Sequence, residues 1–129
     1  MKKFVLILIL VMVSNYAVAD WINSSSNDRS VTYIDTNIQK TGNTSNVFVL
    51  FDYKKIQESS VSGRKYLSEK SHWEIDCSAM RARTVSFTWY AGQMGNGDIV
   101  YSSDKPRAWD SSPSAAGSIG EGISNIVCH

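Results

Sequence analysis

The chain has 129 residues, 43% of them hydrophobic, with 13 Lys and Arg against 12 Asp and Glu. That length supports one domain around one modest core. The near-neutral balance excludes nucleic acid as a partner, because a phosphate backbone demands a strong basic excess.

The first element is an export signal. Lys2 and Lys3 precede the unbroken apolar run Phe4 to Val13, and Ala17-Val18-Ala19 places small residues at both positions that a signal peptidase reads. This layout predicts a secretory signal over residues 1–19, cut after Ala19, and one domain over residues 20–129. The apolar run is too short for a spanning helix of about 20 residues, so cleavage rather than anchoring is expected. No Cys stands at the cut to carry a lipid. Losing Lys2 and Lys3 leaves 11 basic against 12 acidic side chains, a mature net charge of −1.

The exported part reads as strands divided by turn chemistry. Val31 to Asp35 is rich in β-branched and aromatic residues, and Thr-Gly-Asn-Thr within Asn37 to Asn46 signals a turn. Val47 to Tyr53 (VFVLFDY) is apolar at nearly every position, as in a strand covered on both faces or half of an interface. Glu58 to Gly63 is a polar loop. Tyr66 to Cys77 and Arg81 to Tyr90 are two longer strands, Gly92 to Gly97 (GQMGNG) a tight connection, and Asp98 to Ser102 a further strand. Short connections favour an antiparallel meander.

Between the two long strands the pattern permits two registers. A three-residue loop, Ser78 to Met80, aligns the apolar stripe Trp73, Ile75, Cys77 with Val85, Phe87, Trp89. The alternative sets Asp76 opposite Arg81 and Glu74 opposite Arg83. A one-residue slip exchanges the faces, so both hold only if a bulge separates them. Core burial outweighs exposed ion pairs, which favours the apolar alignment.

Ser118-Ile119-Gly120-Glu121 is a capping box that opens a C-terminal helix. Ile119, Ile123 and Ile126 then recur as one apolar stripe. Gly120 and Gly122 weaken that helix by about 1 kcal/mol each relative to Ala, so it depends on docking. The two cysteines, Cys77 and Cys128, read as one intramolecular disulfide in an oxidising compartment; free thiols and an intermolecular bridge are the rival readings. Such a bridge clamps the helix to the sheet. The predicted fold is α+β and mainly β: a single antiparallel meander sheet of about six strands with one C-terminal helix packed on a face.

The segments VFVLFDYKK (Val47 to Lys55), HWEIDC (His72 to Cys77), WYAGQMGNGDIVYSSDKPRAW (Trp89 to Trp109) and GSIGEGISNIVC (from Gly117) resemble the surface-adhesin protein E-like domain of Gram-negative bacteria. The resemblance extends back to Trp21. It implies an antiparallel sheet with a C-terminal helix, cysteines matching Cys77 and Cys128, no catalysis, and adhesion to host matrix or serum proteins. It also implies dimers. VFVLFDY offers more apolar surface than one helix can cover, so a homodimer is expected to bury part of Phe48 and Leu50 on the face away from the helix.

Catalytic and cofactor chemistry finds little to stand on. His72 lies mid-strand and His129 is terminal, with no compact His, Cys and Asp set for a metal. Gly92 to Gly97 lacks the following helix and the Lys-Ser/Thr pair of a phosphate-binding loop. No Gly-x-Ser-x-Gly elbow occurs. No catalytic residue, metal or cofactor is therefore expected.

Binding is the remaining class. Trp73, Phe87, Trp89, Tyr90, Tyr101 and Trp109 can form a core or line a groove; core packing is the expected use of Trp73, Phe87 and Trp89. Trp109, in the polar linker KPRAWDSSPS, either pins that linker or is offered to a partner. Lys54, Lys55, Arg64 and Lys65 flank one hairpin mouth and attract acidic segments or sulfated glycans if they converge. The expected function is that of an exported, non-enzymatic envelope protein that binds another protein. A periplasmic structural or inhibitory protein, for example one that blocks a lysozyme, is the alternative.

Overall fold

The chain runs through seven antiparallel strands in one sheet, the longer of them rich in β-branched and aromatic side chains. The computed structural model describes residues 20–111 and 118–128, so the predicted export signal lies outside the described residues. The strands are β1 (Trp21–Ser26), β2 (Ser30–Asp35), β3 (Gln39–Thr41), β4 (Thr44–Glu58), β5 (Lys65–Asp76), β6 (Arg81–Tyr90) and β7 (Ile99–Ser103). Their order is β1-β2-β4-β5-β6-β7, with β3 paired to the start of β4. This is the expected meander with one strand more. β1 (WINSSS) was not expected, because its polar run lacks the alternation that marks a half-buried strand. It forms an edge.

Cross-strand partners share a face, which defines two sides of the sheet. One side carries Ile34 opposite Val49, Val47 opposite Trp73, and Ile75 opposite Ala82. Over it lies α1 (Ile119–Val127), whose N-cap Ser118 accepts a hydrogen bond from the Glu121 amide, as the capping box requires. Ile34, Val47, Val49, Ile75, Ala82, Ile123 and Val127 form the buried cluster, with Ile119 and Ile126 partly buried beside it. Val127, outside the expected stripe, is thus deeper than Ile126. Gly122 lets the helix approach β1: a Cβ there would sit 3.3 Å from the Ser24 carbonyl oxygen. Cys77 and Cys128 are disulfide-bonded with Cα atoms 5.6 Å apart, tying the end of β5 to the helix C-cap.

The register between β5 and β6 corrects the expectation. Near the turn the ion-pair register holds, with Asp76 opposite Arg81, Glu74 opposite Arg83 and Trp73 opposite Thr84. Beyond it the apolar register takes over, with Ser71 opposite Phe87 and Glu69 opposite Trp89. Val85 is the extra residue of the bulge between them. Each register occupies its own half. The charge pairs prevail at the turn because Asp76 also accepts from the backbone N–H groups of Ser78 and Ala79 and from the Ser78 hydroxyl, and so shapes the loop.

The opposite side carries Phe48 beside His72, and Leu50 beside Lys70. Leu50 is already 0% exposed, so it has no surface left for a second copy; Phe48 remains 50% exposed. The Gly92–Gly97 connection lies over this side. Its Met94 and Gly95 amides donate to the Asp52 carboxylate and the Ser68 hydroxyl, which itself donates to the Gly92 carbonyl. Gly95 has φ +72°, and a Cβ there would stand 2.3 Å from the Lys70 side chain. The positive φ favours glycine, whereas the end of the Lys70 side chain could swing aside.

Candidate functional site

Beyond Trp73 the helix no longer covers its side of the sheet, and aromatic side chains take over. Past the register shift in β4 between Asp52 and Gln57, Tyr66 stands in a row with Tyr53 and Trp89. The Tyr66 and Trp89 rings stack with centroids 4.3 Å apart and planes within 2°. Tyr53 meets Tyr66 edge-on at 5.7 Å, and Trp89 packs against Phe87 at 5.4 Å and Tyr101 at 5.3 Å. Such pairs add about 1 kcal/mol each beyond the area they bury.

Glu69 lies among these rings at an inward-facing position. Its Oε1 accepts from Trp89 Nε1 at 2.6 Å and its Oε2 from the Ser71 hydroxyl at 2.6 Å. Burial first, and then the Glu69 charge, push the Tyr53 and Tyr66 hydroxyls above the ordinary phenol value, while the Arg29 guanidinium pulls the other way. Arg29 comes from the β1–β2 turn, which Asn27 holds by accepting from the Arg29 and Ser30 amides. Arg107, on the linker after β7, lies 5.0 Å over the Phe87 ring.

Two cavities open on this side, of about 430 and 260 Å³, and Ile119 at the start of α1 lines both. The smaller is bounded by Arg29, Phe51, Tyr53 and Glu69. The larger is bounded by Trp73, Ala82, Thr84 and Arg107. Phe51 and Trp73 are in ring contact at 6.3 Å, so the floor runs on from one cavity into the other.

Trp73, Phe87, Trp89 and Tyr101 of the expected aromatic set thus lie on this side, whereas the expected partner-binding residues, Trp109 and the four hairpin cations, lie elsewhere. Trp109 pins its linker: the Arg81 and Arg83 guanidiniums lie 4.5 and 4.7 Å over its ring, each already paired with Asp76 or Glu74. Backbone bonds between Ala82 and Asp110, and from the Arg107 amide to the Thr84 carbonyl, fix the same linker along β6. Of the four hairpin cations, Lys54 reaches the Ser26 hydroxyl on β1 at 3.4 Å. Arg64 turns the other way, to the Val100 carbonyl on β7 at 3.5 Å. Lys65 sits opposite Glu58, and Lys55 is exposed. The two ends of the cluster splay apart.

Arg29, Tyr53, Tyr66, Glu69 and Arg107 escaped the sequence reading. Glu69 had a usable signal: it shares the parity of Ser71, Trp73 and Ile75, an acid on the inward face. Arg29 and Arg107 lie in polar connections and had none. Among the described residues there is no group of three metal-ligating side chains, and no helix is long and apolar enough to cross a membrane.

Solved structures of Haemophilus influenzae protein E share this architecture. One aligns with a TM-score of 0.64 at 16% identity, covering 84% of this chain and 83% of that one. A second crystal form aligns at 0.60 and 14% identity, covering 87% and 96%. No curated protein matches by sequence. At such identities the likeness establishes the fold. The sequence profile of surface-adhesin protein E matches residues 21–129, and the chain belongs to that family.

Proposed function

We propose that the protein is exported, cleaved after Ala19, and acts as a non-enzymatic, adhesin-like binding protein whose partner is a host matrix or serum protein. Family membership over residues 21–129 carries this reading. The condition of the reactive groups supports it: the cysteines are paired, Glu69 has both oxygens engaged, and His72 hydrogen-bonds Asn46 at 2.9 Å while stacking on Phe48. The half-exposed Phe48 is the natural centre of a homodimer contact. Lys55, Arg64 and Lys65 remain exposed cations at the far end of the sheet, open to acidic segments or sulfated glycans.

The test has two parts. Intact mass of the secreted or periplasmic product should correspond to a chain starting at Asp20. The purified protein, and cells carrying it, should then bind immobilised matrix and serum proteins. Absence of binding to all of them, with folded protein, overturns the adhesin reading. Arg64→Glu with Lys65→Glu should reduce heparin binding at low salt if those cations contribute, and leave it unchanged if they only solvate the loop.

A further inference from the structure

We propose that the groove between the first turn of α1 and the aromatic row receives an extended, acidic segment of a partner protein. An apolar side chain of that segment rests on Phe51, Trp73 and Ile119, and its carboxylates meet Arg29 and Arg107. The proposal builds on the reading of this protein as a binding module and adds the chemistry of what is bound.

The groove is one surface. Ile119 lines both cavities, and the Phe51–Trp73 contact joins their floors. That floor is apolar, half-buried and left uncovered by the helix. Ser30, Thr32 and Ser71, each at most 3% exposed, share this face of the sheet, and their small side chains leave room above them. An apolar floor of this size suits one inserted side chain and an extended backbone rather than a compact ligand.

Arg29 and Arg107 stand at the two ends of the floor, and Glu69 and Asp110 line the same two cavities. Neither Arg29 nor Arg107 has a carboxylate within ion-pair distance among the described residues, where only Arg81 and Arg83 are paired. The carboxylates near the groove are engaged: Glu69 by Trp89 and Ser71, and Asp110 by a partner of its own. The first turn of α1, which carries Glu121, sits between the two arginines. A guanidinium without an ion pair at each end of an apolar floor complements carboxylates spaced around an apolar residue. A sulfated glycan fits less well, since it has nothing to place on Phe51 and Ile119 and prefers contiguous cations such as Arg64 and Lys65.

Arg107 is also held in place. Its backbone N–H donates to the Thr84 carbonyl and its guanidinium stacks on Phe87, so one face of the cation is shielded while the residue as a whole stays exposed. An Arg with restricted freedom loses less entropy on meeting a carboxylate.

The experiment uses the purified, disulfide-bonded protein and three probes: a synthetic peptide with one Phe between two pairs of Glu, the same peptide with Gln for Glu, and heparin. Titration followed by backbone NMR should shift Arg29, Phe51, Trp73 and Ile119 with the Glu peptide. Arg29→Ala with Arg107→Ala should weaken that binding about tenfold, and raised salt should weaken it further. Arg64→Glu with Lys65→Glu should leave it unchanged. The proposal is overturned if the Glu peptide does not bind, binds no better than the Gln peptide, or shifts only residues around Lys55 and Lys65. Heparin displacing the peptide and losing affinity in the Arg29/Arg107 variant would assign the groove to glycans and equally overturn it. Matrix binding by wild type that persists in the Arg29/Arg107 variant removes the groove proposal and leaves the adhesin reading standing.

Discussion

Beneath α1 the sheet presents Ile34, Val47, Val49 and Ile75, sealed by Ile123 and Val127 and tied down by the Cys77–Cys128 bridge. Past Trp73 the same face presents Tyr53, Tyr66, Trp89 and Tyr101, beyond the N-terminal end of α1. Aliphatic side chains have no polar handle and only moderate area, so they exclude water only under a lid. Aromatic side chains shield one another by stacking and bury their flanks while their polar atoms find partners, as Trp89 Nε1 does with Glu69. One half of the face is a core, and the other is a surface that can meet a partner. Stability and recognition are thus divided along the strands, with Trp73 at the boundary.

Four perturbations can break or sharpen this division. Cys128→Ser has the largest expected effect. It opens a loop of 51 residues in sequence separation, worth about 4 kcal/mol by loop-closure entropy. Hydrogen exchange should show α1 losing protection first while the aromatic half keeps its own; simultaneous loss in both halves would mean that they are one cooperative unit. Next comes Ile123→Ala, which leaves a cavity in the sealed half and should lower urea-unfolding stability by about 3 kcal/mol.

Trp89→Phe probes the other half. It keeps the stack on Tyr66 but removes the donor to Glu69, for a loss of roughly 1–2 kcal/mol. A loss as large as that of Ile123→Ala would contradict the idea that this half is mainly surface. The smallest effect concerns the turn end of the sheet. The Ala79 amide first, then the Ser78 hydroxyl and Arg81, hold the Asp76 carboxyl below its ordinary value. A folded-state value below the unfolded one contributes stability above the ordinary carboxylate range, and that contribution is lost as pH falls through the folded value. Asp76→Asn should therefore flatten part of the acid limb of the stability–pH profile. An unchanged limb would place the acid sensitivity elsewhere.

Local patterns made much of this molecule legible. The capping box at Ser118 marks the start of α1, the two cysteines meet as expected, and alternating runs place β2, β5 and β6 within a residue or two. These features depend on side chains near one another in sequence, or on there being only one possible pair. β1 was invisible because an edge strand covered by a helix needs no apolar alternation of its own. The Leu50 side differs from the expectation because the Gly92–Gly97 turn that lies over it comes from more than 40 residues away.

The sequence by itself determined β2 and β4 to β7, the helix, the bridge and the family resemblance, since propensity, capping and pairing arithmetic are local or exclusive. Only the tertiary structure decided three things. It split the β5–β6 register at Val85, because the polar turn and the apolar core each impose their own alignment. It sent Lys54 and Arg64 toward opposite edges of the sheet, because each cation follows the acceptor its strand position brings near. And it gathered Arg29, Glu69 and Arg107, distant in sequence, along one aromatic floor, because an antiparallel sheet brings together residues that no local pattern can relate.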